Sequence, residues 1–450
     1  MTNDPFKSGF LWVLKQLAKL EMSKHKNALV IGITGSSGKT TTKELLVALL
    51  APFYKHRLKF TKRGNSETGI PFEILDIPVK KYPYWKYPLI LLQALGTVLL
   101  TRKKFDIFVV EYGIDSPQNP GNMEYLLSIV RPDISILLSI TAAHGERFEA
   151  FIDPATPPSK RVIAIQRLIA EEKAKLLTAT KTPSHAFVTK QAAQFLPAEK
   201  LHHWTVLEAS DSTFHLDSLY NTSEGCTISV QLPDGLVNTV IPGVALSNAA
   251  KSNLQFGLRV LSLLKKNLRV ALKKLPEHFK PEPGRSSLLP GEKNTLILDS
   301  SYNANPLAAI ELFGIVKELA KKGKRKKVIV LGDFRELGEQ SEALYKTVIK
   351  EASAVADTLV LTNNLMKTYG IPAAEENGFV HNQNLYWFEN GRQLAFHILE
   401  VVEENSVVLF EGSQDTVFLE YAVKELCAQK EQQYIEKNIP RMTPDWISMK

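Results

Sequence analysis

The apolar run Ala28-Leu29-Val30-Ile31 breaks into Gly32-Ile33-Thr34-Gly35-Ser36-Ser37-Gly38-Lys39-Thr40-Thr41, and a helix-forming stretch from Lys43 to Leu50 follows. A strand that enters a glycine-rich turn, then Lys-Thr, then a helix has the pattern of a phosphate-binding loop. Glycines let the backbone turn tightly, so successive N–H groups can face one anion. The helix start adds the positive end of its dipole. Lys39 supplies a mobile charge for terminal phosphates, and the Thr40 hydroxyl is a ligand for magnesium. The spacing departs from the strict G-x4-G-K-[ST] form, because Ile33 stands where the first glycine belongs and Gly32 lies one step earlier. An ordinary glycine-rich strand–helix turn is the plainer reading. The flanking elements and the intact Gly-Lys-Thr-Thr favour a nucleotide held by Gly35, Ser36, Ser37, Gly38, Lys39, Thr40 and Thr41.

Further strands are expected at Phe105–Glu111, Asp133–Thr141, Thr295–Asp299, Lys327–Leu331, Asp357–Thr362 and Ser406–Phe410, alternating with helical patterns. Runs rich in Val, Ile and Leu suit strands buried on both faces, which predicts an α/β fold with a mostly parallel sheet. His185 to Val240 has shorter alternations and reads as a small antiparallel elaboration, about 185–240. Pro281-Glu282-Pro283-Gly284 is the expected interdomain boundary. The chain of 450 residues therefore divides into an N-terminal amphipathic helix (1–27), a central nucleotide-binding domain (28–283), a C-terminal α/β domain (284–430) and a tail (431–450) read as an arm or a disordered end. Two distant cysteines make neither a disulfide framework nor a zinc site, which fits a cytoplasmic protein. A net charge of +8 suits anionic ligands, and an anionic membrane or nucleic acid equally. The run Lys321–Lys327 lies between a helix and a strand, where cations favour the helix C-terminus, so no nucleic-acid partner is expected.

Two other features lie where such a sheet binds ligands. Glu111 ends an apolar strand, where an acid helps hold magnesium. His144, in Thr141-Ala142-Ala143-His144-Gly145, also follows a buried strand. A lone histidine is usually structural, but the carboxyl end of a strand in this sheet type is a ligand position.

In order along the chain, these motifs resemble the Mur ligases, ATP-dependent amide-forming enzymes of peptidoglycan precursor synthesis. The resemblance is carried by Thr34–Thr40 with Lys43-Glu44, Gly64-Asn65 with Gly69-Ile70-Pro71, Ala142-Ala143-His144, Asp299–Pro306 and Gly332-Asp333-Phe334-Arg335-Glu336-Leu337-Gly338. They are most similar to the subfamily that adds D-alanyl-D-alanine to a UDP-N-acetylmuramoyl-tripeptide. The resemblance implies a phosphate-loop domain followed by a Rossmann-like domain. It implies that a substrate carboxylate attacks ATP, and that an amine then attacks the acyl phosphate. Lys39, His144 and Lys173 are the implied catalytic residues, with Lys173 carbamylated. Thr40, Glu111, His144 and Lys173 would hold two magnesium ions. Asn248, Arg285 and Asp299 would contact ATP, with catalysis dependent on domain closure. Asn65, Tyr302, Asn303, Asn305, Asp333 and Glu336 would contact the substrate. Without the resemblance, Lys173 reads as an exposed helix lysine and Asn248 as a helix cap.

The sequence departs from that family in several places. Only 27 residues precede the first strand, too few for the family's N-terminal UDP-binding domain. A His-Asn pair before Asn248 is replaced by Val244-Ala245, and a basic Lys-Gly-Ser-Arg by Glu411-Gly412-Ser413-Gln414. Lys175 stands where a glutamate is more usual. The segment between Pro71 and Phe105 is longer, with Lys80–Tyr87, the apolar run Pro88–Leu100 and Arg102-Lys103-Lys104. That run is too short to span a bilayer. It reads either as a buried helix or as an interfacial segment, 82–104, that docks with the N-terminal helix on a membrane. The expected protein is a monomeric ligase of nucleotide and peptidoglycan-precursor small molecules. The alternatives are a relative using a lipid-linked or other peptide acceptor, and a non-catalytic nucleotide-binding relative.

Overall fold

A computed structural model describes residues 5–80, 82–100, 103–141, 145–207, 213–302, 304–334, 341–413 and 417–443. Internal contacts divide the chain into two units, Met1–Thr213 with Ser252–Phe279, and Phe214–Lys251 with Lys280–Lys450.

The first unit is built on six parallel strands: β1 (Leu29–Thr34), β2 (Leu58–Phe60), β3 (Ile107–Glu111), β4 (Ile134–Leu137), β5 (Ala186–Val188) and β6 (Thr205–Val206). Their order is β2-β3-β1-β4-β5-β6. All five residues of β3 and all four of β4 are buried, as helices on both faces require. The strand order reverses beside β1, with β3 on one side and β4 on the other. Ligands bind at the carboxyl ends of strands at such reversals. Register pairs Ile33 with Glu111 and Thr34 with Leu137, so the three strands end level with one another. The helix Pro5–Ser23 packs on this unit through Phe10, Leu11, Leu14 and Ala18.

The second unit carries the antiparallel sheet β7 (His215–Thr222), β8 (Gly225–Leu232) and β9 (Gly235–Pro242). The stretch expected to be antiparallel from 185 thus divides. β5 is short, wholly buried and paired parallel to β4; side chains alternate between buried and exposed only from β7 onward. That alternation marks a sheet with one face open to water. Where the sequence reading attached this sheet to the central domain, contacts group it with the C-terminal part. The Asn221 amide N–H and Nδ2 donate to Glu318 at 3.0 and 2.9 Å, and the Lys322 ammonium lies 4.1 Å from the Tyr220 ring centroid.

The second sheet of this unit is β10 (Ser287–Gly291), β11 (Thr295–Ser300), β12 (Lys326–Leu331), β13 (Thr358–Thr362), β14 (Leu385–Phe388) and β15 (Ser406–Glu411). The order is β10-β11-β15-β12-β13-β14, parallel except for the β10–β11 hairpin. The tail is not a loose arm through residue 443. Gln432–Asn438 is a helix, Ile435, Ile439 and Met442 are buried, and the Arg441 guanidinium is buried against Glu420 at 3.0 Å.

Candidate active site

β1 delivers the chain to its glycine-rich turn at the level where β3 and β4 end. Gly38 has φ +80°, a left-handed conformation that glycine adopts without strain. A Cβ on Gly35 would lie 2.9 Å from Leu138 Cβ, so the turn packs directly on the chain leaving β4. That segment fastens the loop. The Ser36 amide donates to Ser139 O at 2.7 Å, the Ser37 amide to Ser139 Oγ at 2.9 Å, and the Thr141 amide to Ser36 Oγ at 3.0 Å.

Two lysines converge on one carbonyl. Lys39 Nζ donates to Gly35 O at 2.8 Å, and Lys173 Nζ, from the helix Pro158–Thr178, donates to the same oxygen at 3.2 Å. Lys173 is only 5% exposed, so it is not the exposed helix lysine that periodicity alone describes. Burial first, and then the like charge of Lys39, hold its ammonium well below the usual lysine range; Asp115, Glu111 and Glu172 pull the other way. Burial also lowers Lys39, against Glu111 and Asp115.

On the other side, Thr40 Oγ1 lies 3.3 and 3.5 Å from the two Glu111 carboxylate oxygens. Lys43 Nζ is 3.2 Å from Glu111 Oε2, and Asn65 Nδ2 donates to Oε1 at 3.2 Å. Burial would raise the Glu111 carboxyl, but Lys43, Lys39 and the two hydrogen bonds outweigh it, and the carboxylate is held below its ordinary range. Thr40 and Glu111 present adjacent hard oxygen donors, the ligand type magnesium prefers beside phosphates. Thr41 lies in the same first helical turn. Gly35 to Thr41, Asn65, Glu111 and Lys173 are therefore gathered at one end of one sheet. His144, Asn303 and Glu336 lie outside the described residues.

The second unit groups its own residues at the carboxyl ends of β11, β12 and β15. Asp299 is fully buried, and burial pushes its carboxyl up to about 6, against the Ser301 hydrogen bonds and the Arg441 charge. Its Oδ2, Ser301 Oγ, Ser413 Oγ and both Glu411 carboxyl oxygens are buried without a well-formed hydrogen bond. Burial drives Glu411 well above the carboxylate range, with the Ser300 hydroxyl and Asn305 backbone pulling it partly back. The Arg285 guanidinium lies 4.6 Å from the Tyr302 ring centroid. Asn305 caps the helix Pro306–Gly323 by accepting from the Ala308 amide at 3.0 Å. Asp333 accepts from the Leu365 and Met366 amides. Asn248 is exposed just before the helix Ala249–Leu263.

Residues 33–155 match the Mur ligase middle domain, and residues 284–414 match the Mur ligase glutamate ligase domain. The chain belongs to the Mur ligase family. It is 25% identical over 339 residues to the UDP-N-acetylmuramoyl-tripeptide--D-alanyl-D-alanine ligase of Escherichia coli (strain K12), covering 74% of this chain and 64% of that protein. It is 24% identical over 433 residues to the ligase of the same name from Bacillus subtilis (strain 168), covering 92% and 79%. Among solved structures, the MurF ligase from Thermotoga maritima in complex with ADP superposes with a TM-score of 0.67 at 22% identity, over 92% of this chain and 83% of that one. The fold is thus that of the Mur ligases, mixed α/β with a mostly parallel first sheet.

Three residues to which the sequence reading assigned no role stand out, Lys43 and Ser139 in the first unit and Arg441 in the second. Lys43 stands four residues after Lys39 on the same helical face, a spacing that could have exposed its role. Ser139 gave no such signal, because its contact with the loop spans 102 residues. Arg441 donates to Tyr302 O at 3.0 Å and Ser301 O at 2.8 Å, and no local pattern marks it.

Proposed function

We propose that this Mur ligase is an ATP-dependent amide ligase, monomeric and cytoplasmic, that joins D-alanyl-D-alanine to the tripeptide carboxylate of a UDP-N-acetylmuramoyl precursor. The observation that supports this most is the convergence of Lys39 and Lys173 on one glycine-rich loop, with Thr40 and Lys43 meeting the Glu111 carboxylate beside it. The names of the relatives supply the substrate class.

The loop amides and Lys39 bind the β- and γ-phosphates, and Lys39 neutralises charge as the γ-phosphoryl leaves. A substrate carboxylate oxygen attacks that phosphorus, the bond to ADP breaks, and an acyl phosphate forms. The free amine of the acceptor attacks the acyl carbon, phosphate leaves, and the amine proton passes to solvent or a base. Thr40 and Glu111 would hold a magnesium ion, which screens the phosphate charge; His144 and Lys173 belong to the proposal for a second. Lys43 and Asn65 fix the Glu111 carboxylate. Lys173, whose neutral amine is favoured by its surroundings, is suited to take up carbon dioxide as a carbamate. Asn248, Arg285 and Asp299 contribute to ATP, and Asn65, Tyr302, Asn303, Asn305, Asp333 and Glu336 to the substrate.

The test is ATP-dependent phosphate release by the purified chain with magnesium and bicarbonate, offered both substrates, with the product weighed by mass spectrometry. Release that needs both substrates and yields the pentapeptide supports the reading. Nucleotide binding without turnover would favour a non-catalytic relative. Lys173→Ala should lose at least about a hundredfold in turnover. Added acetate should restore part of it by replacing the carbamate anion, and no rescue would count against carbamylation. One observation favours a second reading with a different acceptor, such as a lipid-linked or other peptide: the buried Glu411 stands where the resemblance leads one to expect a lysine. Turnover only with such an acceptor would select it.

A further inference from the structure

The helix Tyr87–Leu100 contains no charged residue. Ile90, Ala94 and Val98 turn inward into the core of the first unit. The opposite face does not find a partner among the described residues. Leu89, Leu92, Leu99 and Leu100 are 58, 64, 72 and 79% exposed, and Trp85, one turn before, is 69% exposed. A helix that is apolar all round is normally buried, so an open outer face of leucines needs a cover.

This helix is held firmly to the N-terminal helix. The Phe10 ring stacks on Tyr87 with centroids 3.9 Å apart, Phe6 stacks on the same ring at 6.0 Å, and the Lys24 ammonium donates to Val98 O. The N-terminal helix exposes Trp12 and Leu20 in turn. The two helices form a fixed platform on one flank of the first unit.

The charge that these two segments themselves carry is almost wholly of one sign. Residues 80–104 hold six lysines and arginines and no acid; residues 5–26 hold five lysines and one acid, Glu21, which is buried and bonded to Lys24. Cations stand before the apolar helix at Lys80 and Lys86 and after it at Lys103 and Lys104. The Lys86 ammonium lies 4.9 Å from the Trp85 ring centroid. Tryptophan and lysine around an apolar face are what the boundary between headgroups and acyl chains accepts. A second copy of the chain would bring the same cations against one another, which disfavours self-association through this face. At 14 residues the helix is about 21 Å long, against about 30 Å of hydrocarbon, so it can lie in an interface but not cross it. Among the described residues no helix is long and apolar enough to cross a membrane.

We infer that this flank docks the enzyme on an anionic phospholipid surface, with the outer leucines of Tyr87–Leu100 entering the headgroup boundary and the flanking lysines meeting lipid phosphates. The inference concerns where the enzyme works, and its readout is lipid binding rather than ligation, so it stands or falls separately from the proposed reaction.

The test is co-sedimentation of the full chain with vesicles of phosphatidylcholine alone or with added phosphatidylglycerol, at low and high salt. Binding is expected only with phosphatidylglycerol and should weaken as salt rises. Leu92→Glu with Leu99→Glu should weaken it by at least about tenfold. Both positions face solvent, so an unchanged melting temperature is expected for this variant. Lys103→Gln with Lys104→Gln, which keeps the apolar face, should weaken binding less and flatten its salt dependence. Phe396→Glu, at a residue 83% exposed on the second unit, should bind like the parent. Failure to bind phosphatidylglycerol vesicles at low salt would overturn the inference. So would binding that the double glutamate variant leaves unchanged, or a dimer in sedimentation velocity that this variant dissolves.

Discussion

Single residues in this ligase are governed by what burial does to charge. Lys39 and Lys173 crowd one loop carbonyl; burial lowers both, the like charge of Lys39 lowers Lys173 further, and Glu111 anchors the neighbouring Lys43. Asp299 gives the clearest stability test. Its carboxyl is pushed up to about 6 from 3.8 by burial. The folded chain therefore keeps a proton that the unfolded chain releases at lower pH. The stability from that proton is complete below 3.8 and is lost as pH rises through about 6. Asp299→Asn fixes the neutral form and keeps the oxygen that accepts from the Ser301 amide. It should be more stable than the parent at neutral pH by about 2–3 kcal/mol, with the gain vanishing near pH 4. Urea melts across that range measure it, and an equal gain at every pH would contradict the assigned cause. The lysine of the loop was legible in sequence because neighbouring glycines announce it. The burial of Lys173 was not, because its helix is mixed in polarity and its contact with Gly35 spans 138 residues.

At the scale of elements, the end of β11 is shaped by a segment far along the chain. Arg441 bridges the Glu420 carboxylate and the carbonyls of Ser301 and Tyr302, with almost no exposure at either charge. Removing one partner of a buried pair strands the other. Arg441→Met should destabilise the second unit by about 3–5 kcal/mol and free the turn after Asp299, read as faster amide exchange at Ser301 and Tyr302. Most strands were legible as Val- and Ile-rich runs: β1, β3, β4, β11, β12, β13 and β15 all fall within a residue or a few of their expected spans. β2, β5 and β6 were not, since two or three residues carry no period. The tail helix was missed because it buries Ile435 alone among polar and charged neighbours, while Ile439 and Met442 are buried in the chain just after it.

At the scale of the whole molecule, the two units have separate cores and the glycine-rich loop belongs to the first. A ligand that binds only the folded loop raises the stability of the unit that carries it. Magnesium with ATP at about a hundred times its dissociation constant should stabilise that unit by about 2.7 kcal/mol, and EDTA should remove most of the gain. Calorimetry with and without chelator checks this, and a gain confined to the other unit would place the nucleotide elsewhere. The sequence by itself determined the glycine-rich strand–turn–helix, the α/β alternation and the acid at the end of β3, because each is written in residues close together in the chain. Only the tertiary structure decided that Lys173 is buried on the loop, that Ser139 fastens it, that Arg441 holds the turn after β11, and that the helix Tyr87–Leu100 keeps one apolar face inside and the other in water. Those outcomes depend on contacts between residues tens to more than a hundred positions apart, which no local pattern of polarity can specify.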